Sequence, residues 1–238
     1  MTRLPGERLD RRHDVPAGPT AGDGQRQDGP HEAPSVGVLA LQGDVLEHVR
    51  ALSAVGLCPV PVRDVATLGQ VDGLVLPGGE STAISRALER SGMLGPLTER
   101  IAAGLPVLGT CAGLILLSDE LTDGDDALPR PGGLGVRTRR NAYGPQTASF
   151  DVPFDVTGVE GGPMEASFIR APRIEAVLDA DVEVLATVDG APVAVRRGDV
   201  LAMSFHPEVT GDHRLHALLA QAVIRRRAAD PGGGGDAR

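Results

Sequence analysis

Apolar positions along the chain fall into short blocks separated by polar turns. Val36-Gly37-Val38-Leu39-Ala40-Leu41 has no polar interruption, which suits a strand buried on both faces. Gln42-Gly43-Asp44 makes a turn, and apolar residues then recur at helical spacing from Val45 to Val55. Leu57–Val62 and Gly73–Leu76 repeat the strand pattern, and helices are predicted over Thr82–Arg90 and Leu94–Ala103. Leu105 to Ser118 then reads as a short apolar strand, a Gly109-Thr110-Cys111-Ala112-Gly113 turn and an apolar helix start. Strands alternating with helices in this rhythm predict βαβ units, hence an α/β fold around a mostly parallel sheet. Ligand chemistry in such folds lies at the carboxyl ends of the strands. Both Pro77-Gly78-Gly79-Glu80-Ser81 and the Gly109–Gly113 turn fall at such ends.

From Gly132 the rhythm changes to short strands between Gly and Pro turns: 136–141, 149–156, 165–169, 182–188, 193–196 and 200–205. An amphipathic helix from Gly211 to Arg227 closes the pattern, with Leu215, Leu218, Leu219, Ala222 and Val223 on one side. Residues 1–34 lack aromatic residues and apolar periodicity and are rich in Gly, Pro, Asp and Arg, so they are expected to be a disordered leader. They contain no apolar core of the kind a secretory signal needs, and their six acidic residues argue against a transit peptide. The expected organisation is therefore a leader (1–34), one domain (35–228) and a disordered Gly-rich tail (229–238).

Composition narrows the functional classes. Of 238 residues, 41% are hydrophobic and 23% charged, an ordinary globular balance for one substantial core. A net charge of -9 argues against a nucleic-acid-binding face. No apolar run approaches the roughly 18 residues of a membrane span. Two cysteines, Cys58 and Cys111, give no disulfide framework, which fits a reducing cytoplasm. All 23 basic residues are arginine, so the chain has no lysine of its own for a Schiff base.

The turn around Cys111 has the chemistry of a nucleophile elbow, in which a strand bends sharply into a helix and lifts one side chain out of the backbone. Glycines two residues to either side leave room for that bend. The same pattern also fits a buried structural cysteine at a strand–helix junction, so a base must be found elsewhere. Among six histidines, His206 stands at a predicted strand end and is followed by Pro207-Glu208. Pro207 favours extended backbone before it, which would set His206 and Glu208 on the same side of the chain. A carboxylate there can fix the imidazole tautomer and aim the other ring nitrogen at the thiol. Acyl transfer also needs donors for an oxyanion, and the N–H of Ala112 and one from Gly78-Gly79 are the candidates.

PGGES, GTCAGL and SFHPE, in this order, resemble the triad-type (class I) glutamine amidotransferases. GVLALQGDVLEH, VDGLVLPGGEST, GTCAGLILL, RRNAYG, SFIRAP and SFHPEVTGDHR bring the likeness closer to the glutaminase subunit of pyridoxal 5′-phosphate synthase, the PdxT/SNO family. The resemblance covers Val36 to Arg227. It implies a flavodoxin-like three-layer domain that hydrolyses glutamine to glutamate without a cofactor or metal. The ammonia would pass to a synthase partner of the PdxS/SNZ type in a hetero-oligomeric complex. Cys111 would be the nucleophile, His206 the acid and base, and Glu208 the orienting carboxylate. Gly79, Glu80, Ser81, Arg140, Ile169 and Arg170 would bind glutamine, with Gly79 and Ala112 serving the oxyanion. Two neighbouring readings share these motifs: a glutaminase of the imidazole glycerol phosphate synthase type, and a same-fold cysteine hydrolase or peptidase.

Overall fold

The computed structural model describes residues 33–122, 127–140, 151–168 and 171–229. The chain enters through β1 (Ser35–Leu39), α1 (Val45–Ala54), β2 (Cys58–Val62), α2 (Val65–Gln70), β3 (Gly73–Leu76), α3 (Ser81–Arg90) and α4 (Leu94–Ala102). Next come β4 (Val107–Thr110), α5 (Ala112–Leu117), β5 (Glu120–Leu121), β6 (Val136–Arg139), β7 (Asp151–Phe154), β8 (Met164–Ser167) and β9 (Arg173–Val177). It ends with β10 (Val182–Val188), β11 (Ala191–Arg197), β12 (Val200–Met203), α6 (Pro207–Thr210) and α7 (Arg214–Ala229).

Seven strands form one sheet in the order β10-β11-β12-β4-β3-β1-β2. The five from β12 to β2 run parallel, and β11 and β10 add an antiparallel edge. Parallel order 2-1-3-4 with a fifth strand beside β4 is the flavodoxin-like arrangement expected from the sequence. Side chains alternate across the sheet with the two-residue strand period. Val36, Val38, Val75, Leu108, Leu201 and Met203 meet Leu52 of α1 and Leu215, Leu219 and Val223 of α7 on one face. Leu39, Leu74, Leu76, Val107, Val200 and Ala202 meet Ile84 and Leu88 of α3, Leu97 of α4 and Leu114 of α5 on the other. Three layers result. Because α1 and α3 leave on opposite faces after neighbouring β1 and β3, a crevice opens between the two connecting turns.

The strand and helix blocks stand within a few residues of their predicted limits, with three additions and one correction. Helix α2 has a single buried side chain, Leu68, and begins at Asp64, whose carboxylate accepts from Thr67 N at 2.8 Å. Such a short turn of β-branched and glycine residues carries little periodicity. β5 and β9 pair with β6 in a small sheet, and each of the two buries a single side chain, so neither shows an apolar block. The correction concerns residues 206–208, predicted extended: His206 caps α6 and Pro207 occupies its first turn. The fixed φ of proline suits the first helical position as well as an extended chain. Pro34, assigned to the leader, already accepts a hydrogen bond from Cys58 N at 2.9 Å, and Ala229 belongs to α7. Residues 1–32 of the expected leader and 230–238 of the expected tail lie outside the described residues.

Candidate active site

Cys111 joins β4 to α5 with φ 49° and ψ -99°, and is one of two non-glycine residues with positive φ among those described. Such a backbone costs on the order of 1–3 kcal/mol and persists only where its surroundings enforce it. Here they do so by backbone-to-backbone packing. A Cβ on Gly113 would lie 2.1 Å from Leu76 O, and one on Gly109 would lie 2.9 Å from the carbonyl carbon of Gly113. Cys111 N donates to Met203 O at 2.9 Å, tying the bend to β12. The thiol thereby stands over the carboxyl end of the sheet, 8% exposed.

β12 also delivers His206, three residues past its end. The imidazole lies near enough to the Cys111 side chain for the two to influence each other's charge, and its Nδ1 lies 2.8 Å from Glu208 Oε1. The helical turn of α6, rather than extended chain, brings Glu208 onto the ring. Gly78 makes space for it: a Cβ there would lie 2.3 Å from His206 Cε1. Burial works against an imidazolium, but the neighbouring Cys111 and the hydrogen-bonded Glu208 outweigh it and push His206 up to about 10. The ring therefore carries its proton at neutral pH.

These groups open into a cleft of about 1120 Å³ between the two turns. Gly79 lines it at φ 144°, a conformation favouring glycine. Glu80 caps α3 through both carboxylate oxygens, accepting from Thr82 N at 2.9 Å and Ala83 N at 2.7 Å. Partial burial opposes its charge, yet those N–H groups and Arg140 hold the carboxyl below the ordinary range. Arg140 Nη1 donates to Thr82 Oγ1 at 3.2 Å, so the guanidinium lies over the same helix start. Ser81 and Ile115 complete this wall, and Ala112 opens α5, where the first N–H groups lack intrahelical acceptors. Ile169 and Arg170 lie outside the described residues. Asp44, His206 and Glu208 offer ligand atoms within 4.8 Å of one another, but Glu208 and His206 are already engaged with each other.

The model of the SNO glutamine amidotransferase family matches residues 38–225. The chain belongs to that family. The pyridoxal 5′-phosphate synthase subunit PdxT of Frankia alni is 57% identical over 190 residues, covering 80% of this chain and 95% of its own. The PdxT of Streptomyces coelicolor is 52% identical over 198 residues, 83% of this chain and 98% of its own. Among solved structures, a glutamine amidotransferase superposes with TM-score 0.75 at 43% identity, covering 79% of this chain and 98% of that one.

Within this family member the structure gathers Cys111, His206, Glu208, Gly79, Glu80, Ser81 and Arg140 around one cleft. Sequence reasoning left out several neighbours. Gln42 and Asp44 line the cleft, although the sequence marks their stretch only as a turn. Asp44 Oδ2 stands 3.9 Å from His206 Nδ1. His48 and His216, assigned only to helices, are wholly buried beneath the triad. A polar residue on an otherwise apolar helix face was the available signal for both.

Proposed function

We propose that this chain is the glutaminase subunit of a pyridoxal 5′-phosphate synthase. It would hydrolyse L-glutamine to L-glutamate and ammonia and hand the ammonia to a synthase subunit of the PdxS/SNZ type, in the cytoplasm. The observation that carries the reading is the imidazole of His206 held by Glu208 and lining one cleft with Cys111, in a chain similar to PdxT subunits.

The chemistry follows from that arrangement. The Cys111 sulfur attacks the side-chain carboxamide carbon, and the carbonyl electrons move onto oxygen, where the N–H groups of Ala112 and Gly79 stabilise the charge. His206 donates its proton to the departing nitrogen, the C–N bond breaks, and ammonia leaves a thioester on Cys111. Water then attacks the thioester while His206 takes up a proton, and the C–S bond breaks to give glutamate. Glu208 keeps the ring aimed throughout. Arg140 and Arg170 supply charge-assisted donors for the α-carboxylate, with Glu80, Ser81 and Ile169 around the head group.

Replacing Cys111 by Ala removes the only side-chain nucleophile in this scheme. Glutamate release by Cys111→Ala is expected to drop by about 10⁴-fold or more. Turnover within tenfold of the parent chain would defeat the assignment.

A further inference from the structure

Beneath the triad lies a second buried histidine that the scheme above does not use. His48 projects from α1 and is 0% exposed. Its Nε2 stands 3.2 Å from Thr110 Oγ1, on the residue immediately before the nucleophile, and 3.5 Å from Glu208 Oε1. Its Nδ1 stands 3.0 Å from Nε2 of His216 on α7. One imidazole thus joins α1, the nucleophile strand, the orienting carboxylate and the closing helix. Glu208 has little else to hold it: its Oε2 is buried without a hydrogen-bond partner among the described residues, and Oε1 faces both His206 and His48.

The charge of Glu208 selects the proton arrangement of this network. Burial first, then the neighbouring His216 and His206, hold the imidazole of His48 well below its ordinary value, so it is neutral and carries a single N–H. If that proton were on Nδ1, the lone pair of Nε2 would face a buried carboxylate oxygen. With the proton on Nε2, His48 donates towards Thr110 and Glu208 and accepts from His216 at Nδ1. His216 is likewise neutral: burial first, then the charge of His213, brings it down to about 4. Each N–H in this chain then points towards the carboxylate.

We infer that His48 is a positioning residue for glutamine hydrolysis, fixing Glu208 from behind and tying it through Thr110 to the strand that presents Cys111. His216 acts one step further back by fixing the tautomer of His48. This inference rests on the triad reading of Cys111, His206 and Glu208.

The test uses the full chain with its synthase subunit, measuring kcat and KM for glutamate release. His48→Gln and His48→Asn divide the two functions of the ring, since glutamine places an N–H donor near the Nε2 position and asparagine only near Nδ1. His48→Asn and His48→Leu are expected to lower kcat by about ten- to a hundredfold, the usual effect of removing a group that orients a functional side chain from behind, with KM nearly unchanged. His48→Gln recovers most of that loss. On a Glu208→Gln background His48→Leu has little further effect, because both act on the same carboxylate. Equal activities for His48→Asn and His48→Gln, or fully additive losses on the Glu208→Gln background, would reduce His48 to a packing residue. If Cys111→Ala still releases glutamate, the triad itself is misassigned, which is a separate failure from unaltered kcat in His48→Asn with Cys111 essential.

Discussion

Gly78 shows how finely single positions set the site. Its backbone lies outside the positive-φ region, so alanine is conformationally acceptable there, yet a methyl group would occupy space held by the His206 ring. Gly78→Ala should leave the fold intact and lower kcat by about a hundredfold, the usual effect of displacing a catalytic group by an ångström; assay of glutamate release beside a thermal melt checks both halves. The buried histidines make a second prediction, this one about pH. His216 titrates near 4 when folded and near 6.5 when unfolded, so the unfolded chain takes up its proton first as pH falls. Stability is therefore lost between about pH 6.5 and 4, with His216 alone accounting for about 2 kcal/mol at pH 5. His48 acts in the same direction. His206 has the opposite sign: its contribution is present below about pH 6.5 and lost as pH rises through about 10. Urea midpoints at pH 5 and pH 7 should lie closer together in His216→Gln than in the parent chain.

Elements differ in how much they tolerate, and two glycines separate the cases. Gly113 sits in α5 against the backbone of β3, and its added methyl would press on Leu76 O with no side chain able to yield. Gly113→Ala should destabilise the fold by about 1–3 kcal/mol through overpacking and pull Ala112 out of register with the nucleophile. Gly95 lies in α4 with nothing within 4 Å of its missing Cβ. Gly95→Ala should stabilise by about 0.5–1 kcal/mol by restricting the unfolded chain. Paired urea titrations decide this; equal shifts for the two variants would mean that the elbow relaxes more easily than its packing indicates. The same contrast explains why α5 was easy to place from sequence and α2 was not. Six consecutive buried residues mark α5, whereas one buried leucine marks α2.

For the whole molecule, the switch point between β1 and β3 decides where chemistry can occur. The two turns that leave it, Gln42–Asp44 and Pro77–Glu80, interlock: Asp44 N donates to Gly78 O at 3.3 Å, and a Cβ on Gly43 would lie 2.1 Å from that same oxygen. Both turns line the cleft, so a subunit docking over this end would touch substrate-facing backbone directly. Under the proposed function, glutamate release should therefore be slower for the chain alone than with its synthase subunit, and equal rates would contradict that coupling. No helix among the described residues is long and apolar enough to cross a membrane. The family match begins at residue 38, and deletion of residues 1–32, which precede that match, is expected to leave kcat within about twofold.

Local chemistry was readable in the chain itself. Apolar runs marked the buried strands, two glycines around Cys111 marked the elbow, and the order of PGGES, GTCAG and SFHPE marked the family, because each signal sits within a few adjacent residues. Only the folded structure decided what happens between distant segments. The sheet order sets Thr110, Glu208 and His216 around His48 across up to 168 positions of sequence, and no periodicity records such a meeting. Likewise the Pro207 step fitted two backbones equally well, and the packing of α6 against β8 and α1 selected the helical one.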